Sequence, residues 1–529
     1  MLAIAMSILA FAIRWRGVDK ECWLDELGTA WVIKDGFAFI PARAPLSCLP
    51  PTYFFLVRIV VELFGFNETA MRLPSVIAGS MLPLAVYLLG ARLTKNRLLG
   101  LLAALLVVFD PTAIHYSLEN RPYACVQLVA ALQVLAFWRL VEHPPSALGR
   151  PRYGAIAWFS LLTALCCNLH PTSMVILGPQ ILFMLILAMK EGWSALPRAA
   201  EVAGGMTLAG LLCLPLIGTF SYLFQTREVL GSWVGDAEPE KIFTRFLALR
   251  YVLAPLCLGI IAHYLLGGKF AAAAPADSTD SAEAEQNVRP LVFCLLWFIV
   301  PGAQLFLMSK AGLMNINLER YMIVAAIAPL IMLATICRCF PSWGARIATI
   351  TITLVLVSPF WLEAARGTSA AFQPRHLSWR EAVAYVNQEC PADLPVFARS
   401  GLVEGKLLEK GTNELTKSLL LCTVNGLYAL QPGSHPMIPI HDISMLSRYS
   451  AEIRQAGGCI VMGSFKADFD CENNMAKTME TIGVPLSRAT ITCRQDSNIV
   501  TVVVRLAKEN ATTENATSTP VSANSPLIK

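Results

Sequence analysis

Long apolar runs, repeated one after another over the first 365 residues, constrain this chain more than any other feature. About 20 apolar residues cross the hydrocarbon core of a bilayer as a helix. Runs of that order recur near residues 1–14, 72–92, 98–117, 121–141, 153–170, 171–189, 202–226, 243–267, 290–309, 321–338 and 345–365. They predict about eleven spans. A soluble core could not hide this much apolar surface: 55% of the residues are hydrophobic and 15% charged, against roughly 25% charged in ordinary soluble domains. The fold class is therefore an α-helical polytopic membrane protein. The first run is short, but it lacks a small-residue cleavage site and reads as a span rather than a removed signal peptide.

Charge sets the orientation. With the N-terminus in the cytoplasm, the inside loops are "GARLTKNRLL", "EHPPSALGRPRY", "KEGWSALPRAA", "GGKFAAAAPADSTDSAEAEQNVRP" and "CRCFPSWGAR". Each carries Lys or Arg close to the membrane, as cytoplasmic loops do. The apolar stretch "PPTYFFLVRIVVELFG" (51–66) is short and interrupted by Arg58 and Glu62. It reads as an interfacial helix, because counting it as a span would invert every later loop. The first loop (15–71), the loop 227–242 and everything after 366 then face outward. The low-complexity "AAAAPADSTDSAEAEQ" reads as a disordered cytoplasmic linker. The chain is thus expected in the cell inner (plasma) membrane.

Residues 366–507 change character. "LSWREAVAYVNQEC" has a helical period, and "PVFAR", "CIVMGSF" and "NIVTVVVRL" read as strands. They predict a small extracytoplasmic α/β domain behind the membrane domain of residues 1–365. A disordered tail is expected over 508–529.

Three clusters of polar residues are candidates for chemistry. Asp25 and Glu26 sit side by side in "WLDELGTA", in the first outer loop. They read either as a solvated acidic start to an interfacial helix or as catalytic carboxylates. "DPTAIHYSLENRPYA" (110–123) crowds Asp110, His115, Glu119 and Arg121 at an outer span end. Ionisable groups at membrane depth are functional candidates; an interfacial Glu119–Arg121 pair is the plainer reading. Asp110 also fits as the start of a turn with Pro111. His170, Lys310 and Arg320 end other spans, where a hydrogen-bonded imidazole and snorkelling cations are the structural alternatives. The 15 cysteines show no CxxC pair and no Cys/His cluster at ligand spacing. The sequence leaves a divalent-cation requirement open.

The order of "WLDELGTA", "LPPTYFFLVRIVVELFGFNETAMRLPSVIAG", "GARLTKNRLLGLLAALLVVFDPTAIHYSLENRPYA", "NLHPTSMVILGPQ", "LERYMIVAAIAPL" and "SWREAVAYVN" resembles bacterial GT-C membrane glycosyltransferases. It is most similar to glycosyltransferase family 39, with its protein O-mannosyltransferase and lipid A aminoarabinose transferase relatives. Relatives often carry His-Pro-Pro where this chain has Leu49-Pro50-Pro51, and Ala in place of Asn120. The resemblance implies a polyprenyl-phosphate sugar donor on the extracytoplasmic side. It also implies an acidic base in the first outer loop, which maps to Asp25 with Glu26 beside it. Glu119 and Arg121 are implied at the same cavity.

Such a transfer needs one base for the acceptor hydroxyl, because phosphate is already a good leaving group. Glycoside hydrolysis needs two carboxyls. The phosphate needs cations and donors, expected from Arg121, Lys310 and Arg320, with Glu119 and His170 at the donor site. The expected activity is inverting glycosyl transfer, from the lipid-linked donor to an extracytoplasmic protein, lipid or envelope glycan. The alternative is a polytopic lipid or solute transporter, which would show inverted repeats with broken helices near the midplane; no such repeat is evident. The outer cysteines Cys22, Cys48, Cys390, Cys422, Cys459, Cys471 and Cys493 are odd in number, and Cys22–Cys48 is the expected pair.

Overall fold

The computed structural model describes residues 1–142, 151–232, 280–316, 318–340, 343–372, 378–431, 435–463, 489–496 and 499–506, with a few single positions between them. The expected span near 243–267 and the tail from 508 lie outside the described residues. Six helical runs among the described residues are long and apolar enough to cross a membrane: Glu68–Thr94, Tyr123–Glu142, Pro171–Leu212, Val288–Lys310, Glu319–Cys339 and Gly344–Phe372. A bent pair, Arg97–Phe109 and Pro111–Ser117, makes a seventh if counted as one. Leu2–Trp15 and Tyr153–Leu169 are apolar but shorter.

Local chemistry sets these elements. The Asn67 side chain caps Glu68–Thr94 by accepting from Ala70 N (2.9 Å), and Asn96 caps the next helix by accepting from Leu98 N (2.9 Å). Between them Lys95 takes a left-handed turn at φ +49°. The hairpin closes on small residues: a Cβ on Gly100 would lie 2.7 Å from Ala91 N, so only glycine permits this approach. The expected span 98–117 is bent by 57° at Asp110–Pro111. Asp110 is extended before the proline, as that ring demands, and caps the second segment by accepting from Ala113 N (2.7 Å). Pro171–Leu212 has 42 residues, which is ~63 Å at 1.5 Å per residue and too long for one span. It breaks at Gly192, with φ +58°.

The helix Pro51–Phe64 has 14 residues. At ~21 Å it falls short of a bilayer. Tyr53, Phe54, Val57 and Val61 are buried, while Leu56, Ile59, Leu63 and Phe64 are exposed, so both faces are apolar. Arg58 pairs with Glu62 within the helix and ties it to the preceding one by donating to the Ile33 carbonyl (2.8 Å). One expectation fails here. The backbone is already helical at Asp280 and continues to Lys310, so Asp280–Gln286, expected in a disordered linker, extends the following helix instead.

The C-terminal part holds five strands, β1 Val396–Arg399, β2 Met437–Pro439, β3 Gly458–Gly463, β4 Ala489–Asp496 and β5 Ile499–Leu506, in sheet order β2-β1-β3-β5-β4. β1 is parallel to β2 and β3; β5 is antiparallel to β3 and β4. Trp379–Glu389 forms the expected helix. The sheet unit docks on the first loop. Trp31 Nε1 donates to Ser418 Oγ (2.9 Å), Lys34 Nζ to the Asn425 carbonyl (2.8 Å), and Cys22 N to Tyr428 Oη (2.9 Å). Tyr428 Oη in turn donates to Glu68 Oε1 (3.0 Å).

Candidate active site

This docking encloses a cavity of ≈ 840 Å³ between the first loop, the ends of several spans and the sheet unit. Asp25, Arg121, His170 and Arg320, all expected at the site, line it. Glu26, Glu119 and Lys310 do not.

The acidic pair divides its work because neighbours on a helix point about 100° apart. Both lie in the first turn of Leu24–Ile33. Asp25 faces the cavity, where Arg320 Nη1 donates to its Oδ2 at 2.8 Å. Among the described residues no other ion-pair partner meets Asp25, so Oδ1 is the oxygen left to take a proton. Glu26 faces the core and is 1% exposed. Arg72, 3% exposed, grips it in a fork, Nε to Oε1 at 2.7 Å and Nη2 to Oε2 at 2.6 Å. Asn120 N donates to Oε1 (2.7 Å) and Trp23 N to Oε2 (3.2 Å). Four donors saturate the Glu26 carboxylate. Glu26 is thus the knot that joins "WLDELGTA", "MRLPS" and "YSLENRPYA".

That knot positions Arg121. Its neighbour Asn120 is held by Glu26, and its own carbonyl accepts from Ser75 Oγ (2.9 Å). The Arg121 guanidinium reaches Ser47 Oγ (3.3 Å) and the Asp25 carbonyl (3.5 Å). His170 lies between the Tyr123 and Tyr321 rings, at 5.6 and 5.7 Å. Burial, with the Arg121 and Arg320 guanidiniums beside it, pushes its pKa down to about 3, so the ring is neutral. Thr172 N donates to its Nδ1 (3.4 Å), which leaves the proton on Nε2.

The other expected residues turn away. Glu119 is buried against His115 Nε2 at 3.3 Å, one helical turn back. Lys310 is exposed, with its ammonium 5.9 Å from the Phe306 ring centroid. The chain turns sharply after it, at Gly312 with φ +68°, and brings Met314, Asn315 and Ile316 to the cavity in its place. Cys22 and Cys48 are both free. Cys22 lies against Arg72 Nη2 (3.8 Å) and Cys48 against Glu404 Oε1 (3.9 Å), so the expected disulfide is absent.

The far wall was not foreseen. Arg399, Ser400, Glu404, Lys406 and His441 line it from the sheet unit. They lie at or just beyond the carboxyl ends of the adjacent parallel strands β1 and β2. Ligands of open α/β sheets favour that edge, which was the signal available had β2 been recognised as a strand. Burial pushes the Glu404 carboxyl up to about 7; Asp25 adds to the rise, and Arg121 and Cys48 oppose it. Among the described residues no group of three or more His, Cys, Asp or Glu is placed to hold a metal ion.

Comparison with known proteins bears on the fold. Residues 49–218 match the family described as dolichyl-phosphate-mannose-protein mannosyltransferase. No curated protein matches the chain in sequence. In fold it is similar to ArnT from Cupriavidus metallidurans bound to undecaprenyl phosphate, with 13% identity over 94% of this chain and 97% of that one and a TM-score of 0.55. It is also similar to the oligosaccharyltransferase AglB from Archaeoglobus fulgidus in complex with an inhibitory peptide and a dolichol-phosphate. There the identity is 12% over 97% of this chain and 74% of that one, with a TM-score of 0.50. The apo form of the A. fulgidus enzyme gives 13%, 96%, 74% and 0.52. At these identities the likeness is one of fold. The chain thus carries the dolichyl-phosphate-mannose-protein mannosyltransferase match over residues 49–218 within the fold of the GT-C membrane glycosyltransferases, the group that its first-loop and span-end motifs resemble.

Proposed function

We propose that the protein is an inverting glycosyltransferase that moves a sugar from a polyprenyl-phosphate donor to an extracytoplasmic acceptor, with Asp25 as the base. The observation that carries this reading is the Asp25–Arg320 pair at 2.8 Å in one cavity with Arg121 and His170. A base and a set of phosphate-binding donors are what single displacement at an anomeric carbon requires. Asp25 Oδ1 takes the acceptor's hydroxyl proton as its oxygen attacks, and the phosphate leaves with the electron pair of the broken C–O bond. Arg121 and Arg320 meet the phosphate oxygens, where charge-assisted and forked contacts are strongest. The neutral His170 ring donates from Nε2. Arg320 also holds the base in place. Glu26 and Arg72 keep the base and Arg121 in register without touching substrate.

Two likenesses support a lipid-linked donor: the matched family is described by a dolichyl-phosphate sugar, and the ArnT structure is bound to undecaprenyl phosphate. The orientation proposed from the Lys/Arg bias puts the N-terminus in the cytoplasm and the sheet unit outside. The test is transfer of label from synthetic undecaprenyl-phosphoryl sugars, hexosyl and pentosyl, to membranes that lack the protein. Product dependent on the purified protein is expected. Failure to bind undecaprenyl phosphate at all would overturn the reading.

A further inference from the structure

We infer that Glu404, a residue of the sheet unit, binds hydroxyl groups of the transferred sugar and so sets which sugar the enzyme accepts. This rests on the proposed transfer reaction and deepens it.

Glu404 begins near the start of the 3₁₀ helix Val403–Lys410, directly after β1 and its loop. It is 7% exposed and lines the cavity. Its Oε1 is 3.9 Å from the Cys48 thiol, a weak donor, and its Oε2 is buried with no hydrogen-bond partner among the described residues. A buried carboxyl oxygen without a partner keeps an unrepaid desolvation cost. A ligand that supplies donors removes that cost. The segment is not loose: a Cβ on the neighbouring Gly405 would lie 2.8 Å from His441 Nδ1, so the helix start is packed against the end of β2.

Position identifies the ligand class. Glu404 lines one cavity with Asp25 and Arg121, the proposed base and a proposed phosphate ligand, and the Cys48 thiol that it accepts from adjoins Ser47, which the Arg121 guanidinium reaches at 3.3 Å. The group that lies between base and phosphate during transfer is the sugar ring. Its hydroxyls are neutral donors, which suits a carboxyl that makes no ion pair among the described residues. Arg399, the last residue of β1, is turned to the His441 carbonyl (2.9 Å), and Lys406 to Ser232 Oγ (2.8 Å). Two vicinal hydroxyls match the two oxygens of one carboxylate.

The experiment compares Kd for bare undecaprenyl phosphate with Kd for a panel of undecaprenyl-phosphoryl hexoses and pentoses. The proteins are the full-length wild type, Glu404→Gln and Glu404→Ala, purified in detergent. Wild type is expected to bind at least one loaded lipid more tightly than the bare one. Glu404→Ala should lower that ratio by about tenfold or more, since hydrogen bonds to charged groups contribute roughly 1.5–3 kcal/mol. Glu404→Gln should lower it less, because the amide keeps one acceptor. Bare-lipid Kd should stay constant across all three. An unchanged ratio in Glu404→Ala overturns the assignment, as does equal weakening of bare and loaded lipids, which would mean that Glu404 only shapes the cavity. Equal wild-type affinity for bare and loaded lipids also overturns it. Loss of bare-lipid binding by the wild type would instead overturn the transfer reaction itself.

Discussion

Removing the charge of Glu26 should damage the fold first and catalysis only through it. Glu26 and Arg72 are 1% and 3% exposed, joined by two bonds of 2.7 and 2.6 Å. Glu26→Gln keeps the shape but leaves the Arg72 guanidinium buried without a counter-charge. Breaking a buried pair on one side costs about 3–5 kcal/mol. Over 529 residues, an unfolding entropy of roughly 2.1 cal/mol/K per residue gives ~1.1 kcal/mol/K. The expected fall in Tm is therefore about 3–5 °C. Arg72→Met should cost as much, and the double variant should be no worse than either single one. The removed partner no longer strands a charge, so the coupling should reach about 3 kcal/mol. Thermal unfolding of the four proteins in one detergent, with transfer measured well below Tm, separates stability from chemistry. A Glu26→Gln protein with wild-type Tm and the catalytic loss of Asp25→Asn would refute the division of labour between the two neighbours.

Other outcomes follow from the same contacts. Arg121→Lys should raise KM for the lipid-linked donor despite keeping its charge, because an ammonium cannot reproduce the fork that meets phosphate; donor kinetics check it. Lys310→Ala should leave transfer within about twofold of wild type, since surface changes away from special contacts are usually small, and a large loss would bring Lys310 back to the site. Gly100→Ala should destabilise the hairpin by about 1–3 kcal/mol, read as a lowered Tm. Glu404 is protonated more readily in the fold than in the unfolded chain, with a pKa near 7 against the ordinary 4.5. Its contribution to stability is therefore complete below about pH 4.5 and is lost as pH rises through 7, by roughly 3 kcal/mol. Glu404→Gln should flatten that part of the pH–Tm profile, with Asp25, Arg121 and Cys48 unchanged around it.

How much of this was legible in the sequence depends on the range of each interaction. The turn that Asp110 begins with Pro111 is local, set by a side chain three residues from the backbone N–H it caps. Asp25 and Arg121 were legible through motif order. The fate of Glu26 was not, because it depends on Arg72, 46 residues on, and a lone carboxylate carries no sign of which way its helix faces. Lys310 and Arg320 looked alike as cations at span ends. The left-handed turn at Gly312 separates them, and only Arg320 reaches Asp25, 295 residues away. The sheet-unit wall was missed for another reason. β2 has three residues and ends in Pro439, too short to announce a strand, and without it the carboxyl-edge loop that carries Glu404 has no recognisable place.

The most direct test of the account is transfer by the purified Asp25→Asn protein from the undecaprenyl-phosphoryl sugar that the wild type uses. The change is nearly isosteric and leaves the Glu26–Arg72 knot intact, so Tm and undecaprenyl phosphate binding should remain close to wild type. The amide cannot take the acceptor's proton, and a general base is typically worth about 10²–10⁴-fold. A loss of that order, with normal folding and lipid binding, is the predicted result. Wild-type transfer by Asp25→Asn would contradict the general-base role and leave the acidic pair as an ordinary helix start.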